Sequence, residues 1–255
     1  MRCDAGLMTT DLAPALGTDR LVHDEPVDLP DYLRRYYAWA YVWPFSVWFF
    51  DHQPIINAIL FGNYRRIMRN ALRLIDPKTA GKTLQIAGVY GELTPTLMSA
   101  GIADLHLIDA APIQLEAARR KLAAIGRSAH LGRMFAENLR YNVGTFDTAL
   151  MFLLLHEMPP WARRAALTEA LRVLRPGGRL VIAEYGECRK RHLFHRFAPM
   201  RWVLTHAEPF LGGFWSDDLN AVLADCAAAL GRTIALEEHV DIFGGFYRVM
   251  RYRVS

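Results

Sequence analysis

From Lys82 onward the chain alternates short apolar runs with amphipathic stretches, and this alternation constrains its fold more than any other feature. Apolar runs near 83–88, 105–109, 131–135, 146–152 and 179–184 have the length of buried strands. Helical patterns near 94–100, 112–125 and 160–174 lie between them. Such a rhythm predicts an α/β fold, a doubly wound and mostly parallel sheet with helices on both faces. The stretch "LRPGGRLVIAEY" (174–185) reads as a helix end, a Pro-Gly-Gly turn and a buried strand. A helical insertion spans about 190–230, with helices near 190–207 and 216–229. Two strand-like runs, "RTIALEEHV" and "GFYRVMRYRV", then bracket Phe243-Gly244-Gly245.

The chain before Lys82 has a different character. Residues 1–26 carry Asp4, Asp11, Asp19, Arg20, Asp24 and Glu25, lack the apolar core of a signal peptide, and read as a flexible lead-in. Residues 27–81 read as an aromatic-rich helical cap of two or three helices, broken at Pro44 and near Pro54. Its apolar part is shorter than the roughly 20 residues that span a bilayer. Residues 82–255 form the ligand-binding domain. The three scattered cysteines, Cys3, Cys188 and Cys226, give no disulfide framework and no paired metal motif, which suits a reducing cytoplasm. The 52% hydrophobic content excludes general disorder, and a net charge of +4 is only mildly basic. No nucleic-acid-binding signature accompanies that charge, so nucleic acid is not expected as a partner.

In open parallel sheets, ligands bind beyond the carboxyl ends of the strands where strand order reverses. Here the first strand runs into "LQIAGVYGELTP" (84–95), and Asp109 closes the second, placed to accept ribose hydroxyls. Ala136, Glu137 and Asn138 follow the third strand, where an adenine ring would lie. The loop resembles the first motif of class I S-adenosylmethionine-dependent methyltransferases, an acidic residue followed by G-x-G-x-G. Gln85 replaces the acid, Ala87 and Val89 replace two glycines, and Gly91 keeps the third, with Tyr90 before it. Taken alone, the loop also reads as a tight turn between strand and helix.

Several further stretches extend the resemblance. "NYRRI" (63–67), "VYGELTP" (89–95), "FLLLHEMP" (152–159), "LRPGGRLVI" (174–182) and "FGGFYRVM" (243–250) are similar to the rhodoquinone-biosynthesis methyltransferase-like family, RquA, over roughly residues 31–252. The resemblance implies a Rossmann-like methyltransferase fold and the conversion of ubiquinone to rhodoquinone, with an amine replacing a ring methoxy. It implies S-adenosylmethionine as amino donor and manganese as a supporting ion. On that reading, a neutral Gln85 removes a charge that would hold the cofactor's α-amine as a non-nucleophilic ammonium. On the other reading, Gln85 only hydrogen-bonds within the turn.

His156 and Glu157 follow the fourth strand, where this fold presents catalytic side chains. A histidine there can move a proton to or from a quinone oxygen, and Glu157 can orient it; equally, both can serve only as cofactor contacts. Glu157, Glu184 and His156 are the candidate ligands for a divalent ion, although no spacing identifies a metal site. Tyr247, in the closing FGG-x-Y, is either a pocket residue or core.

Trp39, Tyr41, Trp43 and Trp48 are either core or, with their polar handles, membrane-interface residues. "CRKRHLFHRFAPMRW" (188–202) reads either as an interfacial helix or as a solvated amphipathic one. An isoprenoid quinone resides in the bilayer, so the expectation is a cytoplasmic protein bound peripherally to the inner face of the membrane. Two other functions compete: a conventional methyltransferase on a lipophilic quinol or phenol, and a non-catalytic cofactor-fold protein. Asp109, Glu137, His156 and Glu184 argue against the latter, which has no use for polar groups at strand ends.

Overall fold

The computed structural model describes residues 29–41, 43–88, 90–188 and 192–255. The lead-in expected over residues 1–26, Val89 of the loop and Arg189–Arg191 of the basic segment lie outside the described residues. The cap comprises α1 (Asp31–Tyr36), α2 (Ala38–Tyr41), α3 (Pro44–Phe50), α4 (Gln53–Ile59) and α5 (Tyr64–Ile75). The helix breaks expected at Pro44 and near Pro54 fall just before these prolines, which sit in the first turns of α3 and α4. The described cap has five helices, most of them short, against the expected two or three. In α5, Ile67, Met68, Ala71, Leu74 and Ile75 face inward, while Arg65, Arg66 and Arg69 face solvent.

The sheet alternates with helices in the expected order. It is built from β1 (Thr83–Ile86), β2 (Leu105–Asp109), β3 (His130–Arg133), β4 (Phe146–Phe152) and β5 (Leu174–Tyr185). Between these strands run α6 (Leu93–Ser99), α7 (Pro112–Ala124) and α8 (Pro160–Val173). After β5 come α9 (Leu193–Arg196), α10 (Ala198–Ala207), α11 (Leu211–Ser216) and α12 (Leu219–Ala229), then β6 (Ile234–Ile242) and β7 (Tyr247–Val254). The short α11 is an addition to the sequence reading. Cys188 and Cys226 are both free thiols.

Spatial order is β3-β2-β1-β4-β5-β7-β6. The first five strands are parallel, and β7 enters antiparallel between β5 and β6. Every residue of β1 is buried, as expected of a strand covered on both faces. Residues 175–178 loop out of β5: Leu174 pairs with Phe146, and pairing resumes at Arg179 with Thr148. The Pro-Gly-Gly turn is therefore a bulge within a long strand. The chain moves outward from β1 to β3 and then returns to β4, so strand order reverses between β1 and β4. Their carboxyl ends open the crevice where this fold binds ligands.

Candidate active site

That crevice is a cavity of about 390 Å³ walled by both the cap and the strand ends. From the sheet come Ala87, Gly88, Asp109, Ala136, Glu137, His156, Glu157 and Tyr185; from the cap come Tyr32, Tyr37, Trp39 and Phe50; Glu208 follows α10. Its size falls within the range of small-molecule and cofactor sites. Among the described lining residues, His156 is the one basic group, against the carboxylates of Asp109, Glu137, Glu157 and Glu208. An acidic cavity with apolar walls favours a cationic ligand.

The loop after β1 is held from several sides. Gly91 has φ +83, and a Cβ there would stand 2.7 Å from the Tyr64 hydroxyl, so only glycine fits. Gly91 N–H donates to Asp51 of the cap (2.8 Å), and Lys121 of α7 donates to the Gly91 carbonyl (2.8 Å) and pairs with Asp51. The Tyr64 hydroxyl donates to the Tyr90 carbonyl (3.1 Å) and accepts from the Glu92 N–H (3.0 Å). Ala87 adopts φ 72, a left-handed conformation that glycine normally fills. Gln85 is fully buried: its amide donates to the Ala87 carbonyl (3.1 Å) and its carbonyl accepts from Thr94 (2.9 Å). Both ends of Gln85 are thus engaged within the turn, away from the cavity. Gly91 likewise supports the loop from behind, whereas Ala87, Gly88 and Tyr90 line the cavity.

Asp109 ends β2 at the cavity wall. Its two oxygens accept from Gly88 N–H (2.7 Å) and Ala111 N–H (2.6 Å). Burial pushes its carboxyl up to about 6, with those two hydrogen bonds pulling the other way. Ala136 and Glu137 line the cavity beyond β3, and Glu137 accepts from the Tyr32 hydroxyl (2.6 Å). Asn138 turns outward to solvent and does not join them.

The turn after β4 carries His156 and Glu157 and is braced from below. Glu184, fully buried at the end of β5, accepts His156 Nδ1–H (2.7 Å) and the backbone N–H groups of Leu155 (2.9 Å), His156 (3.3 Å) and Tyr185 (2.7 Å). Arg163, also buried, donates to the Leu155 carbonyl (2.9 Å) and the Met158 carbonyl (3.0 Å) and pairs with Asp217. Burial alone would push the His156 imidazole down, but Glu184 in contact, with Glu208 and Glu157 nearby, raises it to about 9. His156 Nε2, Glu157 and Glu208 bring one nitrogen and two carboxylates within 4.8 Å of one another. Glu184 stands outside this group because its oxygens already serve four donors. Sequence reasoning missed Glu208, Tyr37, which donates to it (3.1 Å), and Arg163. No spacing links α1, α8 and α10 before they are folded together. Tyr247 sits behind Tyr185 (ring centroids 5.1 Å apart), fully buried and off the cavity wall, while Tyr185 lines it edge-on to His156 (4.7 Å).

A Rossmann-like sheet with a cavity at its switch point defines an α/β fold of the nucleotide- and cofactor-binding kind. Residues 84–178 match the family described as "Methyltransferase domain". The chain is 32% identical over 169 residues to the demethylmenaquinone methyltransferase of Thermus thermophilus, covering 66% of this chain and 74% of that protein. It is 28% identical over 138 residues to the ubiquinone/menaquinone biosynthesis C-methyltransferase UbiE of Pseudomonas syringae, covering 52% of this chain and 53% of that one. It thus spans about half the length of this second relative. Among solved structures, PH0226 from Pyrococcus horikoshii superposes with a TM-score of 0.53 at 17% identity, over 73% of this chain and 91% of that one, a likeness of fold. The chain belongs to the class I S-adenosylmethionine-dependent methyltransferases.

Proposed function

We propose that this protein uses S-adenosylmethionine to modify the ring of a lipophilic quinone, and that it transfers the α-amine, forming rhodoquinone from ubiquinone. The observation that carries the reading is His156, its Nδ1 fixed by Glu184 and its Nε2 turned toward Glu157 and Glu208. Three carboxylates around one imidazole favour positive charge at Nε2. A cation there draws electrons onto a quinone oxygen and makes the neighbouring ring carbon an acceptor for an amine. Methylation of a quinol carbon asks for the opposite, a base that enriches the ring. In the amination, the amine lone pair adds to the methoxy-bearing ring carbon and the ring electrons move to the oxygen near His156. Their return expels methoxide, which leaves as methanol with the amine proton. Loss of the cofactor's α-proton then turns the N–Cα bond into an imine as the quinone is reduced to a quinol, and water hydrolyses that imine to free the ring amine.

The cavity's lining supports a placement for the cofactor. Asp109 is the ribose acceptor, Ala136 and Glu137 flank the adenine, and Ala87, Gly88 and Tyr90 face the methionine tail. The acidic wall suits the sulfonium. No carboxylate stands at position 85, so the loop does not stabilise the ammonium form from there. The resemblance to RquA also implies manganese. His156, Glu157 and Glu208 would hold a divalent ion only with Nε2 deprotonated. The ion and the protonated imidazole are therefore alternative sources of the same positive charge, and Glu184 fixes the ring for either. Manganese bound there would polarise a quinone carbonyl.

A second reading, methyl transfer, is favoured by the names of the relatives, both quinone-pathway methyltransferases. Purified protein with a short-tailed ubiquinone, manganese and S-adenosylmethionine labelled separately at the α-nitrogen and the methyl carbon decides between them. Nitrogen label in the quinone is expected. Methyl label would replace the proposal with the second reading, and neither label in quinone or quinol would remove both.

The substrate's tail ties this reading to a membrane surface. No helix among the described residues is long and apolar enough to cross a bilayer. The cap instead exposes Trp39, Trp43, Phe45 and Trp48. Trp39 lines the cavity and packs on Phe50, which contacts Phe49, so a run of rings leads from the cavity to the surface. Leu193, Phe197 and Trp202 add exposed apolar groups on α9, after it and on α10. Lipid vesicles rich in anionic phospholipid are expected to carry the protein upward in a flotation gradient. Replacing Trp43, Phe45 and Trp48 together with serine is expected to reduce the bound fraction at least about tenfold, since each ring is worth ~1.5 kcal/mol or more when buried. Equal flotation of the triple variant would count against a docking role for the cap.

A further inference from the structure

A second cluster of ligating side chains lies at the opposite end of the sheet and has no part in the chemistry above. His106 in β2 and His130, the first residue of β3, are direct cross-strand partners. Their rings stack at 4.3 Å between centroids, 22° from parallel. Asp104 precedes His106 by two residues and, by the period of a strand, shares its face. The Asp104 Oδ1 atom lies 3.2 Å from His106 Nε2 and 3.8 Å from His130 Nε2. It is shielded from solvent yet accepts no well-formed hydrogen bond. The remaining ring nitrogen of His106, Nδ1, is 3.2 Å from the Tyr141 hydroxyl, which fixes the ring and leaves Nε2 directed at the carboxylate. The three donor atoms lie within 4.8 Å of one another.

We infer that Asp104, His106 and His130 form a binding site for a borderline transition-metal ion of the zinc class. Two imidazoles and one carboxylate suit zinc, nickel or copper better than magnesium or manganese, which prefer oxygen. A metal draws the two Nε2 atoms and Oδ1 around one centre, where it would replace the poorly aligned 3.2 Å contact between Oδ1 and His106 Nε2. Tyr141 supplies the outer hydrogen bond that ligating histidines normally have. His130 is largely exposed, so its ring is free to turn into place and solvent completes the coordination. The site's three residues stand about 10–16 Å along the strands from the level of Asp109, and none of them lines the cofactor cavity. Its role is a clasp: β3 is the edge strand of the sheet, only four residues long, and it leads directly into Ala136 and Glu137.

The test is zinc binding by the full chain, wild type against His130→Ala, measured by equilibrium dialysis with elemental analysis and by thermal unfolding. Because the His130 side chain is mostly in solvent, its removal leaves the core intact. The His156, Glu157 and Glu208 group remains in both proteins and cancels in the comparison. Wild type is expected to hold one zinc equivalent more than the variant at micromolar free zinc, and to gain more in unfolding temperature. Asp104→Asn is expected to weaken that equivalent at least tenfold. Equal stoichiometry and equal thermal gain in wild type and His130→Ala would overturn the proposal. Neither result bears on the quinone reaction, which is scored by label transfer alone.

Discussion

His156→Ala is expected to lower turnover by about 10²–10⁴-fold, the usual worth of a positioned proton-transfer or polarising group. The side chain is nearly buried, so its loss leaves Glu184 with one acceptor position unused and removes the charge facing the substrate oxygen. S-adenosylmethionine affinity is expected to change little, because the proposed cofactor contacts come from the segments after β1, β2 and β3. Glu184→Gln separates orientation from charge. It keeps the shape but replaces the one carboxylate in contact with the imidazole by an amide, leaving only Glu157 and Glu208 to favour its charge. Turnover is expected to fall while KM for the quinone holds. Label transfer to a short-tailed ubiquinone, with cofactor binding measured alongside, checks both. Near-wild-type turnover by His156→Ala would remove this residue from the chemistry.

The second large effect is at Asp109. If Asp109 is the ribose acceptor proposed above, replacing it with alanine removes two charge-assisted contacts, each worth about 1.5–3 kcal/mol, and cofactor affinity is expected to drop ~10²-fold or more. The pH dependence follows from burial, which places the carboxyl near 6. Its folded value lies above the unfolded one. Its contribution to the stability of the ligand-free protein is therefore full below pH ~4 and is lost as pH rises through 6. Cofactor affinity runs the other way, because the ionised form is the better acceptor for two hydroxyls. Binding is expected to weaken about tenfold between pH 7 and pH 5 and to level off above pH 7. Calorimetric titration across that range checks it, with Asp109→Asn expected to flatten the curve. A wild-type affinity independent of pH would show that this carboxylate does not meet the ribose.

Much of the sheet was legible because its strands are buried on both faces and stand out as apolar runs. The positions of Asp109 and His156 were legible for the same reason: each ends a run where the fold presents ligand contacts. The rest depended on long-range packing that leaves no local trace. Gln85 occupies the motif position of an acid, yet its direction is set by Thr94, the second residue of α6. Glu184 reads as a metal ligand because it ends a strand, but four donors converge on it from the β4 turn and its own backbone. Glu208 joins His156 and Glu157 only through the insertion between β5 and β6, a segment whose sequence shows amphipathicity and nothing of its destination. Tyr247 belongs to a recognisable motif, but alternation along β7 turns it into the core.

The left-handed Ala87 has a consequence for ligand affinity. A glycine-rich loop samples many backbone conformations before its ligand arrives, and binding must remove that conformational entropy. With alanine and valine at two of the motif's three glycine positions, the unbound loop of this protein has fewer conformations to lose. Replacing the glycines makes the grip stiffer and more particular about the shape it holds.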